Sequence, residues 1–143
     1  FFVGESSERA KKLCVIAFQA MHKGIEVVSG QATTGDIGFA INKFATRKGY
    51  HPVYEIGGHG IGKKFHDEPF VPSHGKKGKG FALKPWACIT VEPMINETSA
   101  PIQEFSIPNS TIKFYNTGDG SLSAQYEHTV LVTDQGHEIM TLL

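Results

Sequence analysis

Several things the sequence lacks narrow what it can be. It has no excess of either charge, since Lys+Arg 14 balances Asp+Glu 14. A polybasic field able to hold nucleic acid or an anionic membrane surface is therefore missing. Two cysteines in 143 residues, Cys14 and Cys88, cannot build a disulfide framework, and a reducing cytoplasm is the expected compartment. The longest apolar stretches, such as 87–91 and 129–132, are strand-sized and far short of the roughly 20 residues of a membrane span. No signal-type segment opens the chain. It starts at Phe1 rather than Met, from which processing, truncation or sequence upstream of this chain is expected. There is no internal repeat and no linker, so one domain, or a piece of one, is expected. With 40% hydrophobic and 20% charged residues the chain is not compositionally disordered.

What is present reads as two helices followed by strands. Residues 6–29 carry N-cap serines at Ser6 and Ser7, Glu8 and Arg9 in the first turn, and an apolar stripe through Leu13, Ala17, Ala20, Met21 and Val28, with Gly30 as the stop. A second helix is expected over 35–48, capped by Thr34 or Asp36, with Ile37, Ala40, Ile41 and Phe44 on one face. Gly49 ends it. β-rich runs follow at 51–56, 69–72, 87–95, 111–116, 125–133 and 137–142. The stretch 73–80, SHGKKGKG, reads as a basic solvated turn, and 98–110, with Pro101 and Pro108, as a second loop. The fold class is α+β with a curved, mainly antiparallel sheet.

Three segments concentrate chemistry. In GGHGIG, 57–62, glycines let the backbone approach a buried group and leave His59 as the one functional side chain of a bare loop. It is followed by Phe65-His66-Asp67-Glu68-Pro69. In TVEPMI, 90–95, Glu92 interrupts an apolar strand. In SLSAQYEHT, 121–129, Glu127 and His128 stand at the mouth of another. Singly, each has a plain structural explanation. His59 can be a turn residue, Glu92 can face solvent on alternation, and Glu127 can pair with a lysine. His22, His51, His74 and His137 have no supporting context and read as surface residues. Together, one imidazole and two carboxylates suit divalent ions such as Mn²⁺, Fe²⁺, Co²⁺ or Zn²⁺. A carboxylate can also bridge two ions roughly 3.5–4 Å apart.

GGHGIGKKFHDEP, ITVEPMIN and SLSAQYEHTVLVTDQG resemble three C-terminal signature blocks of the type I methionine aminopeptidases. The first block is shared with aminopeptidase P and prolidase relatives. The resemblance runs the length of the chain. It implies the pita-bread fold, of which residues 1–143 would be the C-terminal half of the catalytic domain, the N-terminal half being absent from this chain. It implies release of N-terminal methionine from peptides and nascent proteins by a hydroxide bridging two divalent metals, of identity Co, Mn, Fe or Zn. His59, Glu92 and Glu127 would be metal ligands, Glu127 the bridging one. Glu92 would also be a general base. His66 would contact the scissile amide, and Phe65 would line the methionine pocket, where a ring against a thioether is favourable. The implied partners are a peptide or nascent-protein N-terminus and the upstream half of the same domain, in the same or a separate chain. An enzyme of this kind can also meet the ribosome, though no segment marks the contact. No nucleic-acid site and no membrane are implied.

The departures matter too. The family's two remaining ligands are aspartates, expected upstream, because Phe1-Phe2-Val3-Gly4 resembles the end of the strand that follows the second. Asp36 is rejected as a substitute because helix capping explains it. After Lys84-Pro85 the family usually has glycine and then a hydrophobic residue, where this chain has Trp86 and Ala87. A tryptophan common ahead of SLSAQYEHT is replaced by the nearby Phe114 and Tyr115. Two rival functions are a non-catalytic pita-bread binding module and a relative acting on X-Pro bonds. Half a pita-bread domain should expose apolar sheet and aggregate, dimerise or require its other half.

Overall fold

The structure is a computed structural model and describes residues 2–142; the part of the first expected motif that falls on Phe1 lies outside them. Helix α1 spans Glu8–Ile25. Its N-cap is Ser7, whose hydroxyl accepts from the Ala10 N–H at 3.2 Å. It stops short of the expected Gly30, because the β-branched pair Val27-Val28 leaves the helical path and Val28 turns into the core. Helix α2 spans Thr34–Arg47. Its cap is Thr33, one residue earlier than expected: the Thr33 hydroxyl accepts from the Asp36 N–H while the Asp36 carboxylate accepts from the Thr33 N–H. Asp36 is a helix-start residue, as its rejection as a metal ligand requires. Phe2–Gly4 adopt no strand.

Ten strands follow: β1 His51–Pro52, β2 Gly58–Ile61, β3 Asp67–Val71, β4 Cys88–Val91, β5 Met94–Asn96, β6 Ile102–Ser106, β7 Lys113–Thr117, β8 Ser123–Gln125, β9 His128–Val132 and β10 His137–Ile139. They form a five-stranded sheet in the order β10-β9-β4-β2-β3, a three-stranded sheet β1-β5-β8, and a separate β6-β7 hairpin. Every strand pairing among the described residues is antiparallel. The helices lay Leu13, Met21, Ile25, Ile37 and Ile41 against Ile89, Val91, Ile95, Val130 and Val132, all almost fully buried. Each such side chain contributes about 1.5–3 kcal/mol through burial. No helix among the described residues is long and apolar enough to cross a membrane.

Four expectations change. Residues 58–61 are a strand rather than a bare loop, and 102–106 are a strand inside the expected 98–110 loop. The expected strand 87–95 breaks at Glu92-Pro93, since Pro93 has no N–H to continue the ladder. The expected strand 125–133 breaks opposite it, at Tyr126-Glu127. At these two breaks both strands cross from the five-stranded to the three-stranded sheet. The register is the same on both sides, Val91 facing His128 and Met94 facing Gln125. Glu92 and Glu127 therefore fall at facing positions of the crossing.

Candidate active site

The backbone of β2 lies hard against β4. A Cβ on Gly58 would sit 2.3 Å from the Thr90 carbonyl oxygen, so only glycine fits there. This close approach puts His59 beside Thr90 and Glu92. The His59 N–H donates to the Thr90 hydroxyl at 2.9 Å, and that hydroxyl donates to Glu92 Oε1 at 2.7 Å. Thr90 and Glu92 stand two residues apart at the end of a strand, which puts them on one face. The Gln125 side-chain amide donates to Glu92 Oε2 at 3.0 Å and to the Glu92 carbonyl at 3.2 Å. Both carboxylate oxygens are thus held.

The His59 ring is oriented from behind. Its Nδ1 lies 2.9 Å from the Gly60 carbonyl oxygen, which can only accept, so Nδ1 carries the proton. Nε2 is then directed at Glu92 Oε1, 3.4 Å away. In the neutral ring these are two lone pairs facing each other, and the arrangement calls for a proton or a cation between them. Two donor atoms each about 2.0–2.2 Å from one cation stand at a comparable separation, and a ligating histidine commonly gives its other N–H to a backbone carbonyl. Burial pushes the Glu92 carboxyl above its ordinary range, and the charge of Glu127 pushes it the same way. The Thr90 hydroxyl and the nearby His59 and His66 hold it back.

His66 and Phe65 join this cluster. The His66 ring stands edge-on to His59 at 4.3 Å and to Phe65 at 4.8 Å, and Phe65 lies 5.6 Å from His59. His59 and His66 line one depression of about 380 Å³, and Phe65 is 71% exposed beside it. Glu127 is the least gathered of the expected residues. It is exposed and reaches Glu92 through register and charge, with no hydrogen bond between them. Among the described residues no set of three His, Cys, Asp or Glu side chains is arranged to hold an ion. In donor chemistry the His59–Glu92 pair fits a divalent cation, with Glu127 facing it.

Thr90 and Gln125 were not singled out in the sequence, though each sits two residues before a chosen carboxylate, and strand period places them on its face. The four histidines read as surface residues are all partly buried. His137 Nδ1 lies 3.2 Å from the Val28 carbonyl, and His74 stacks on Tyr54 at 4.2 Å. None of them joins the His59 cluster.

The description of metallopeptidase family M24 matches residues 1–134. A methionine aminopeptidase of Rickettsia prowazekii is 43% identical over 142 residues, covering 99% of this chain and 54% of the relative. The crystal structure of methionine aminopeptidase from Rickettsia prowazekii superposes with a TM-score of 0.90 at 42% identity, over 99% of this chain and 56% of that one. A prolidase from Pyrococcus furiosus shares the fold, with a TM-score of 0.73 at 21% identity over 100% of this chain and 35% of that one. The chain spans about half the length of the curated relatives it matches. Its α+β architecture is that of the pita-bread enzymes. On this agreement of sequence, structure and site chemistry, the chain belongs to metallopeptidase family M24.

Proposed function

We propose that these residues are the C-terminal half of a cytoplasmic aminopeptidase domain that releases N-terminal methionine from peptides and nascent proteins. The observation that carries the reading is the His59–Glu92 facing pair, of which His59 lines a depression shared with His66. The methionine aminopeptidase names of relatives at 39% and 43% identity support the same substrate. His59, Glu92 and Glu127 would hold divalent ions, of the Co, Mn, Fe or Zn class, together with ligands from the other half of the domain. Bound there, such ions polarise the scissile carbonyl and lower the pKa of a water.

The chain's own residues supply the rest. Glu92, held by Thr90 and Gln125, takes a proton and passes it to the leaving nitrogen. His66 donates to the carbonyl oxygen as charge develops on it. Phe65 offers its exposed face to the methionine thioether. The experiment is hydrolysis of a Met-Ala-Ser peptide, with a Gly-Pro peptide as the X-Pro control, by the chain joined with the other half of the domain and supplied with metal. Methionine release that falls by at least about a hundredfold in His66→Ala supports the reading. Release from the Gly-Pro peptide alone, or metal-independent binding with no release from either, overturns it.

A further inference from the structure

The basic turn 73–80 is not consumed by the metal-site reading, and the structure gives it a place. It lies on the start of α2. The Gly35 N–H donates to the Lys79 carbonyl at 3.0 Å, and the Gly78 N–H donates to Asp36 Oδ1 at 2.9 Å. A Cβ on Gly35 would sit 2.3 Å from the Lys79 oxygen, so the turn rests directly on helix backbone. This fixes Lys77 with its ammonium 5.4 Å from the centre of the Phe39 ring, while Lys43, one helical turn on, reaches the same ring at 5.7 Å.

Beneath these cations runs a groove of about 450 Å³ between the two helices. Val27, Phe39 and Phe44 give it an apolar floor, and Lys43, Arg47 and Lys77 a cationic rim. The acidic groups in the groove are already engaged. Glu26 pairs with Lys23 at 2.7 Å, and Asp36 accepts from the Thr33 N–H, the Thr33 hydroxyl and the Gly78 N–H. Among the described residues Lys43, Arg47 and Lys77 have no salt-bridge partner. Cations outnumber anions in the groove, Lys23, Lys43, Arg47 and Lys77 against Glu26 and Asp36, so in a chain of zero net charge the surroundings of the apolar trough are locally positive.

We infer that this groove docks an acidic peptide segment of a partner protein, its carboxylates on the rim and one large apolar side chain on the floor. The concave apolar floor fits a side chain inserted between charged neighbours. A nucleic-acid backbone would need a longer basic track than three side chains, and a lipid surface would meet a protruding apolar face rather than a trough. The site is separate from the His59 cluster and does not rest on the peptidase reading.

Fluorescence anisotropy of the chain joined with the other half of the domain tests it, with three labelled probes: an acidic peptide Asp-Glu-Leu-Phe-Glu-Asp, its neutral counterpart Asn-Gln-Leu-Phe-Gln-Asn, and an oligouridine. The acidic peptide should bind at least about tenfold tighter than either, and weaken as salt rises. Lys43→Glu with Lys77→Glu should abolish that preference. Both lysines are exposed, so the fold should survive, and Lys43→Gln with Lys77→Gln should show an intermediate loss. Phe39→Ala should weaken the acidic peptide while leaving its salt dependence unchanged. Equal binding of the acidic and neutral peptides, unchanged binding in the charge-reversed variant, or tighter binding of the oligouridine would each overturn the assignment.

Discussion

Thr90 has one hydroxyl proton and gives it to Glu92, while its oxygen receives the His59 N–H. It is 1% exposed, so its hydroxyl cannot turn to water instead. Thr90→Val keeps the shape and removes both bonds, and should cost about 1–3 kcal/mol in urea unfolding, with Thr90→Ser recovering most of the loss. A valine variant as stable as the parent would mean that the hydroxyl does not order the pair. Trp86 shows a different constraint. Its φ is 70°, in the left-handed region that glycine occupies freely, and its ring is 72% exposed. The family's preference for glycine after Lys-Pro thus has a backbone cause. Trp86→Gly should raise stability by about 0.5–1 kcal/mol, read from the thermal midpoint, because relief of left-handed strain exceeds glycine's entropy cost. A lower midpoint would show that the indole contributes packing that outweighs the strain.

At the scale of elements, the β6-β7 hairpin is tied at its base by Asp119. That carboxylate accepts from the Thr98 hydroxyl at 2.7 Å and from the Ser121 N–H at 3.0 Å. The Ser121 and Thr98 hydroxyls, then the Ser121 amide, lower its pKa from 3.8 to about 2. A depressed carboxylate contributes stability above its unfolded pKa and loses it as pH falls toward the folded one. Between about pH 4 and pH 2 the parent should therefore lose stability more steeply than Asp119→Asn, in urea unfolding at each pH. Parallel pH profiles would remove Asp119 from the hairpin's anchorage. The same hairpin shows where the sequence was hard to read. Ile102–Ser106 is largely exposed and pairs only with β7, so no core imprints alternation on it, and Pro101 and Pro108 read as loop. The helices were legible because burial imposes a stripe of Leu13, Ala17, Ala20 and Met21. The strands through Glu92 and Glu127 were read as continuous because apolar residues lie on both sides of each break. Pro93 was the signal that one ladder must end, and the facing break is a tertiary consequence of it.

At the scale of the whole molecule, the candidate site occupies the place where two strands leave one sheet for another. Such a crossing frees side chains from the ladder without freeing the backbone, which is how an exposed Glu127 can stand opposite a half-buried Glu92. The residues His59, Glu92, His66 and Phe65 were legible from motif resemblance, and the structure brings those four together. The support from Thr90 and Gln125 depends on pairing between distant segments, which no local pattern states. The account turns on a cation seated between His59 and the two glutamates. Its most direct test is an anomalous difference map from zinc-soaked crystals. The expected result is a peak about 2.0–2.2 Å from His59 Nε2 and a Glu92 oxygen, with the Glu127 carboxylate closing on the same density. Density elsewhere with none at this pair, or a Glu127 side chain turned away from the bound ion, would contradict it.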